Sequence, residues 1–193
     1  MSLIYSIFLT GGYLFIIASV LAFLEIQIEG KAGWAEKLPT WKWDSPRLRK
    51  LLGKPITGYH VWFNAMLLLF LHLPQVYSGF SFEEEAKAIS FYFFLAVFWD
   101  FLWFVWNPYY GVKRFRKGLI WWYPSWLLGL PTAYFGGVFV SGMIYTSPAF
   151  WEGHWQGRLE VWGGYFGCLL ILTLGSIALA NGMVKFRSPE RGE

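Results

Sequence analysis

The chain has 193 residues, of which 56% are hydrophobic, 22% aromatic and only 15% charged, with a net charge of +4. A soluble domain has about a quarter charged residues and far fewer tryptophans than the 13 present here, so the composition excludes an ordinary soluble protein. The net positive charge does not indicate nucleic-acid binding, because membrane orientation explains the basic residues better, and the single Cys168 excludes a disulfide framework or a cysteine-based metal site.

Several apolar runs exceed the roughly 18 residues that mark a membrane-spanning helix. We predict an all-α, single-domain bundle of five transmembrane helices over residues 1–193. The predicted spans are residues 3–24, 57–78, 82–107, 119–145 and 161–184. The third span begins at Ser81, where the sequence SFEE matches a capping box, and it ends before Pro108. Pro124 and Pro131 predict a kink or an interfacial first turn in the fourth span.

The basic residues predict how the bundle is oriented. Residues 25–56 contain seven Lys or Arg, the connection after the third span contains four, and the C-terminal tail contains three. Each of the other two connections contains one, Lys87 or Arg158. Since basic residues concentrate on the cytoplasmic side, we expect the N-terminus outside and the C-terminus in the cytoplasm, in a bacterial inner membrane.

The first cytoplasmic connection contains a predicted short helix. Ser45 and Pro46, followed by RLRKLLG, are typical of an N-cap, a first-turn proline and a glycine C-cap. Leu48, Leu51 and Leu52 would share one face, which is typical of a helix lying on an anionic cytoplasmic leaflet. A solvated basic loop is the alternative. The preceding segment IEGKAGWAEKLPTWKW is either a lid over the mouth of a cavity or a loop lying on the membrane.

Two rows of small residues predict close approaches between helices. Ala133, Gly137 and Ser141 form one row, and Gly163 and Gly167 form the other. Such rows let helix backbones approach closely inside a bundle or between protomers. Packing inside the bundle is the expected use, because each helix needs neighbours.

The third span contains an acid among aromatic rings, Asp100 within FFLAVFWDFLWFVWNP. It lies seven residues before Asn107, which is about 10 Å from the cytoplasmic end of the helix. A carboxylate at this depth costs about 2.5–3.5 kcal/mol, so it should face the bundle interior and be protonated, paired or bound to a cation. We therefore expect Asp100 to be functional, with a buried structural pair as the alternative.

Four of the five predicted spans contribute polar side chains at the same depth. If the first helix continues, Glu25 and Glu29 share a face because they are four residues apart. The candidate catalytic residues are Asp100, His60, Glu25 and Glu29. The candidate substrate-binding residues are Asn64, Asn107, Trp99, Trp103, Phe104 and Asn181. For the glutamates, solvation at a helix end is the alternative; for His60, an interfacial or capping role; and for Asn181, an interhelical hydrogen bond.

Two mechanisms use these residues. In the first, the four catalytic candidates bind zinc, iron or manganese, which suit carboxylate oxygen and imidazole nitrogen, although one histidine is fewer than such sites usually have. In the second, Asp100 is kept protonated by its apolar surroundings and acts as the acid, with His60 or a glutamate as the base. Aromatic walls can stabilise a developing cation, which suits isomerisation or cyclisation of an isoprenoid or sterol-like lipid.

An acid followed by aromatic residues in a membrane helix, as in WDFLWF, resembles the integral-membrane carotenoid cyclases and the sterol isomerases. The resemblance covers about one helix and implies no residue roles. The alternative function is a non-catalytic accessory or assembly subunit of a membrane complex, whose polar cluster would be internally paired. A proton or cation pathway would need polar residues towards the outer side, where His72 and Glu160 are the evident ones.

The expected partners are membrane lipid and the anionic cytoplasmic leaflet, and a homo-oligomer or a larger membrane complex is left open. The sequence predicts no haem, because the histidines cannot form a pair within the bundle. It predicts no retinal, since no lysine lies in the middle of a span, and no nucleotide, since no Walker loop is present.

Overall fold

The computed structural model describes residues 2–150 and 153–187, most of which are helical; the side chains of Leu51 and of the basic C-terminal tail lie outside the described part. The helices are α1 (Leu3–Glu29), α2 (Pro46–Leu52), α3 (Gly58–Ser78), α4 (Phe82–Trp106), α5 (Gly111–Arg114), α6 (Thr132–Thr146) and α7 (Trp155–Arg187). A 3-10 turn covers Ser147–Ala149. The strands form two antiparallel pairs, β1 (Lys42–Trp43) with β2 (Ile56–Thr57) and β3 (Trp126–Leu127) with β4 (Leu130–Pro131).

Within the described residues, four helices are long and apolar enough to cross a membrane, namely α1, α3, α4 and the Trp155–Met183 part of α7. The predicted continuous helix over residues 119–145 is wrong at its start, because α6 begins only at Thr132 and has 15 residues. Before it, Leu128 and Gly129 have φ values of 49° and 82°, so the chain makes a tight hairpin turn between β3 and β4. Pro131 ends the hairpin and precedes the helix.

Helix α3 runs antiparallel to α4. Near the start of α3, the ring of Phe63 packs against Trp99, with 5.0 Å between ring centroids. Near its end, His72 Nε2 lies 3.1 Å from a carboxylate oxygen of Glu85 in the first turn of α4. The start of α3 therefore lies beside the end of α4.

Helix α6 also runs antiparallel to α4. The hydroxyls of Ser90 and Ser141 are 2.8 Å apart, and the hydroxyl of Tyr134 donates to Asp100. The row of small residues that contains Gly137 packs inside the bundle, because a Cβ at Gly137 would lie 2.7 Å from a methyl group of Val97. The first turn of α6 therefore faces the carboxylate of α4.

Helices α1 and α7 run parallel to each other. A Cβ at Gly11 would lie 2.8 Å from Cys168, and one at Gly164 would lie 2.8 Å from Ile7. Cys168 is a small buried residue. The predicted row of Gly163 and Gly167 makes no such contact, since a Cβ at either position would meet nothing within 4 Å among the described residues.

Helix ends follow the sequence signals in one case and depart from them in another. The short helix α2 has the predicted caps, because Ser45 Oγ accepts from the N–H of Leu48 at 3.2 Å and Gly53 ends it with φ 76°. The predicted capping box at the start of α4 is wrong. Ser81 makes no side-chain capping hydrogen bond within the described part of the chain, and Glu83 and Glu84 of the first turn pair with Lys87 instead.

The core is built around α4, on which α1, α3, α6 and α7 all pack. Phe94 and Phe104 of α4 are fully buried in clusters of aromatic rings. The outer helices expose large apolar side chains, such as Leu69 at 74% and Phe139 at 67%. An apolar exterior around a mixed polar and aromatic interior is typical of a helical membrane protein.

Candidate functional site

A cavity of about 330 Å³ lies where α1 and α4 end and where α3 and α6 begin. Its polar lining residues are Glu25, Glu29, Lys54, His60, Asn64 and Asp100. Its aromatic lining includes Trp34, Trp99, Trp103, Trp122, Tyr123 and Tyr134. The structure therefore brings together all four predicted catalytic residues, and with them three of the six predicted substrate-binding residues.

Glu25, Glu29 and His60 form one group in this cavity. Helix α1 continues to Glu29, so both glutamates lie on the same face, as the spacing predicted, and both are buried. His60 Nε2 lies 3.8 Å from Glu25 Oε1 and 3.7 Å from Glu29 Oε1. The three side chains offer ligand atoms that all lie within 4.8 Å of one another. This arrangement can share a proton or hold a divalent cation.

The imidazole of His60 is held in one orientation. Thr57 is the N-cap of α3 and is fully buried, and its Oγ1 lies 2.6 Å from Nδ1 of His60. The ring of Trp34 stacks on the imidazole, with 4.0 Å between ring centroids and 17° between planes. The hydroxyl and the stacked ring leave Nε2 facing the two glutamates. A fixed ring is what both a catalytic base and a metal ligand require.

The segment after α1 folds back over the cavity. Trp34 and Ala35 have φ values of 55° and 49°, so the backbone turns sharply in the left-handed region. The N–H of Ala35 donates to Glu29 Oε1, and the indole of Trp34 donates to the carbonyl of Pro55 at 2.8 Å. Trp34 of this segment lies in the cavity wall, whereas Trp41 and Trp43 are exposed, so the segment has features of both interpretations.

Asp100 lies on the α6 side of the cavity, where Tyr134 donates its hydroxyl to Oδ2. The side chain of Tyr123 lies beside the same carboxyl group. Both tyrosines are buried, at 9% exposure or less. The carboxyl group therefore has phenolic partners and no arginine or lysine within salt-bridge distance in the described part of the chain. It can carry a proton within reach of the cavity.

Lys54 places a positive charge in the same cavity. Its ammonium lies 3.3 Å from the ring centroid of Trp34 and 4.7 Å from that of Tyr123. Burial lowers the pKa of Lys54 to about 8, although Asp100, Glu25 and Glu29 favour its charged form. Lys54 therefore loses its charge near pH 8.

Two indole N–H groups in the cavity wall have no acceptor among the described residues, those of Trp99 and Trp103. The side chains are 5% and 3% exposed. The N–H of Trp99 lies towards Glu25 without reaching hydrogen-bond geometry. The indole N–H of Trp106, which lies outside the lining of this cavity, also has no acceptor among the described residues, so these unpaired donors do not by themselves indicate a bound molecule.

Three predicted substrate-binding residues lie elsewhere. Asn107 follows the last residue of α4, so it leaves the face of Asp100, and its Nδ2 donates to the carbonyl of Gly30 at 2.9 Å. Asn181 lines a separate depression together with Asn107. Phe104 is fully buried against neighbouring rings. Asn107 ties the end of α4 to the C-cap of α1, Phe104 fills the core and Asn181 is exposed, so the structure does not bring these residues to the cavity.

Sequence reasoning missed Lys54, Trp122, Tyr123 and Tyr134, and it placed Trp34 only in a lid of undecided position. Lys54 immediately precedes Pro55 and the start of a span, a position where a long side chain can turn back into the bundle. Tyr134 adjoins the predicted row of small residues on α6. Tyr123 carried no signal, because it resembles any tyrosine of an interfacial belt.

No protein-family model, curated protein or solved structure matches this chain. The chemistry of the cavity therefore has to be inferred from its own residues. It combines a carboxyl group with phenolic partners, a fixed imidazole between two glutamates and an aromatic wall.

Proposed function

We propose that this protein is a membrane-embedded enzyme that acts on an amphipathic or isoprenoid lipid by acid–base chemistry. The observation that carries this proposal is that one cavity is lined by two separate sets of side chains that can carry a proton. The first set is Asp100 of α4 with Tyr134 of α6. The second set is His60 of α3 with the two glutamates of α1, Glu25 and Glu29. Acid and base groups around a cavity with apolar walls suit proton transfer to and from carbon.

The simplest reaction of this class moves a carbon–carbon double bond. Asp100 as a carboxylic acid donates a proton to one alkene carbon, which leaves a positive charge on the other. His60 or a glutamate then removes a proton from the next carbon, so the double bond shifts and the composition is unchanged. The rings of Trp99 and Trp103 lie where they can stabilise the positive charge. Cyclisation would begin with the same protonation.

We also infer that the chain crosses the membrane five times. Arg158, at the start of α7, lies 2.8 Å from Glu83, at the start of α4. The chain must therefore return across the bundle between Trp106 and Trp155, and α6 is the helix that runs back along α4. With the basic connections in the cytoplasm, the cavity opens towards the inner leaflet of a bacterial inner membrane. The half-buried Leu48 and the exposed Arg47 support a position of α2 on that surface.

A metal-assisted reaction is the second candidate, because Glu25, Glu29 and His60 offer ligand atoms within 4.8 Å of one another. Three protein ligands would leave coordination positions for water or substrate, as in catalytic zinc and iron sites. Asp100 is not part of that group. Elemental mass spectrometry of the parent and of Glu29→Gln distinguishes the candidates, since near-stoichiometric metal that is lost in the variant would favour the metal.

The alternative of an accessory subunit predicts an internally paired cluster without a cavity. The presence of the cavity favours an enzyme over such a subunit. Surface apolarity does not separate the two, since both need contact with lipid.

The test compares Asp100→Asn with Asp44→Asn, a matched control at an exposed position whose carboxylate pairs with Arg49. Each variant replaces the parent in its source cells, and lipid extracts are compared by mass spectrometry. Loss of a general acid slows a reaction about a hundredfold or more, so Asp100→Asn should accumulate one lipid and deplete another, whereas Asp44→Asn should match the parent. An unchanged lipid profile in a folded Asp100→Asn variant would contradict the proposal.

A further inference from the structure

We infer that the lipid reaches the cavity sideways from the membrane, through an opening between α3 and α6, with its hydrocarbon chain along the Gly136 face of α6. This inference rests on the proposed function, because it names the access route and the chain-binding wall of the same site.

The cavity has a polar end and an apolar arm. The arm is lined by Phe93, Ala96, Val97, Gly136, Gly137 and Val140. Along α4, Phe93 lies seven residues from Asp100, and along α6, Val140 lies six residues from Tyr134. Since α4 and α6 are antiparallel, the arm extends about 10 Å from the carboxyl group in one direction, towards the middle of the bundle. A space that is polar at one end and apolar along its length matches a lipid with one reactive group.

The arm is open at its side. Ala133 and Gly136 line the cavity and are at the same time exposed. A Cβ at Gly136 would meet nothing within 4 Å among the described residues. The neighbouring Phe139 is 67% exposed, and an apolar residue on the outer face of a membrane helix faces hydrocarbon. The opening beside Gly136 therefore leads to lipid.

The other end of the cavity is closed. Trp34 and Trp122 both lie in its wall, and the segment that carries Trp34 is packed tightly on Trp122. A Cβ at Gly33 would lie 2.4 Å from the ring of Trp122. Access from the cytoplasm would need this segment to move, whereas access from the side of α6 needs no rearrangement.

A long-chain primary alcohol that carries a diazirine in its chain tests the route. The parent, Gly136→Trp and Gly163→Trp are placed in lipid nanodiscs with this probe, irradiated, and mapped by peptide mass spectrometry. Gly163 is the matched control, because it is an exposed helical glycine with open space at its Cβ among the described residues and lies outside the cavity lining. We expect label on the arm residues of α4 and α6 in the parent and in Gly163→Trp, and about tenfold less in Gly136→Trp.

Equal labelling of the arm in the parent and in Gly136→Trp would overturn the inference, and so would label confined to outward residues such as Phe139. Ala133→Leu at the same opening provides a second variant, and thermal unfolding confirms that each variant is folded. Asp100→Asn separates this inference from the proposed function. If that variant keeps both the lipid profile of the parent and the label on the arm residues, the proposed reaction is contradicted and the proposed access route is supported.

Discussion

At the scale of single residues, the electrostatics of the cavity depend on Lys54. Three carboxyl groups from two helices line the same space, and the ammonium of Lys54 is the cation that faces them from the connection before α3. Its contacts with Trp34 and Tyr123 keep it there. The protonation state of Lys54 therefore affects how strongly the cavity can bind any other cation.

We predict that Lys54 loses its proton near pH 8, because burial lowers its pKa to about 8. The unfolded chain would keep this proton up to about pH 10.4, so the folded state binds fewer protons in that window and gains stability as the pH rises through it. Carbon-13 NMR of reductively methylated protein in micelles should show one lysine titrating near pH 8, absent from Lys54→Gln. If every lysine in the parent titrates near its ordinary pKa, the burial of Lys54 in the cavity is contradicted.

Thr57 is predicted to be a positioning residue for His60. Its hydroxyl both caps α3 and lies 2.6 Å from Nδ1, so Thr57→Val should free the imidazole, whereas Thr57→Ser should keep it. Loss of the outer partner of a metal-ligating histidine typically reduces activity about 10–100-fold, and we expect a loss of similar size here. Lipid analysis of both variants measures this effect. A pH profile of turnover should shift in Thr57→Val, and a variant that only lost stability would leave that profile unchanged.

At the scale of elements, the antiparallel packing of α6 on α4 holds Tyr134 against Asp100. Gly137→Leu should force these helices apart, because a Cβ there would already lie 2.7 Å from a Val97 methyl group. Overpacking of this kind costs about 1–3 kcal/mol and lowers the midpoint of thermal unfolding in detergent. Gly163→Leu, where the space is open within the described residues, should change the midpoint little. Equal midpoints for both variants would mean that the two helices do not approach as described.

The sequence predicted elements well where one local signal determined them. Ser45 and Gly53 mark the ends of α2, and Pro108 follows the end of α4, because caps and prolines act over a few residues. The start of α6 was mispredicted, because the apolar residues before it form a hairpin whose turn uses a leucine with positive φ. Hydropathy cannot distinguish an apolar hairpin from an apolar helix.

The sequence predicted the part of the candidate site that consists of polar residues near the cytoplasmic ends of the membrane-spanning helices. Glu25, Glu29, His60 and Asp100 were identified because each is unusual in or beside an apolar helix. Asn107 lies at a similar depth but outside the helix, so its side chain turns to Gly30. Loop residues such as Lys54 could not be assigned, because their positions depend on how the connections pack over the helices.

At the scale of the whole molecule, the proposed five crossings would place opposite ends of α4 on opposite sides of the membrane. Single cysteines at Phe80 and Lys117, both exposed, test this arrangement in a Cys168→Ser background. A membrane-impermeant maleimide added to intact cells should label Phe80→Cys and spare Lys117→Cys until the cells are opened. The reverse pattern would invert the bundle, and labelling of both would contradict a single orientation.

The most direct test of the proposed acid–base chemistry uses deuterium oxide. Purified protein is incubated in deuterium oxide with a total lipid extract of its source membrane, and the lipids are analysed by mass spectrometry. We predict that the parent and Asp44→Asn place one deuterium on carbon in one class of lipid, and that Asp100→Asn does not. Deuterium incorporation that is the same with Asp100→Asn, or absent with the folded parent, would contradict a proton transfer by Asp100.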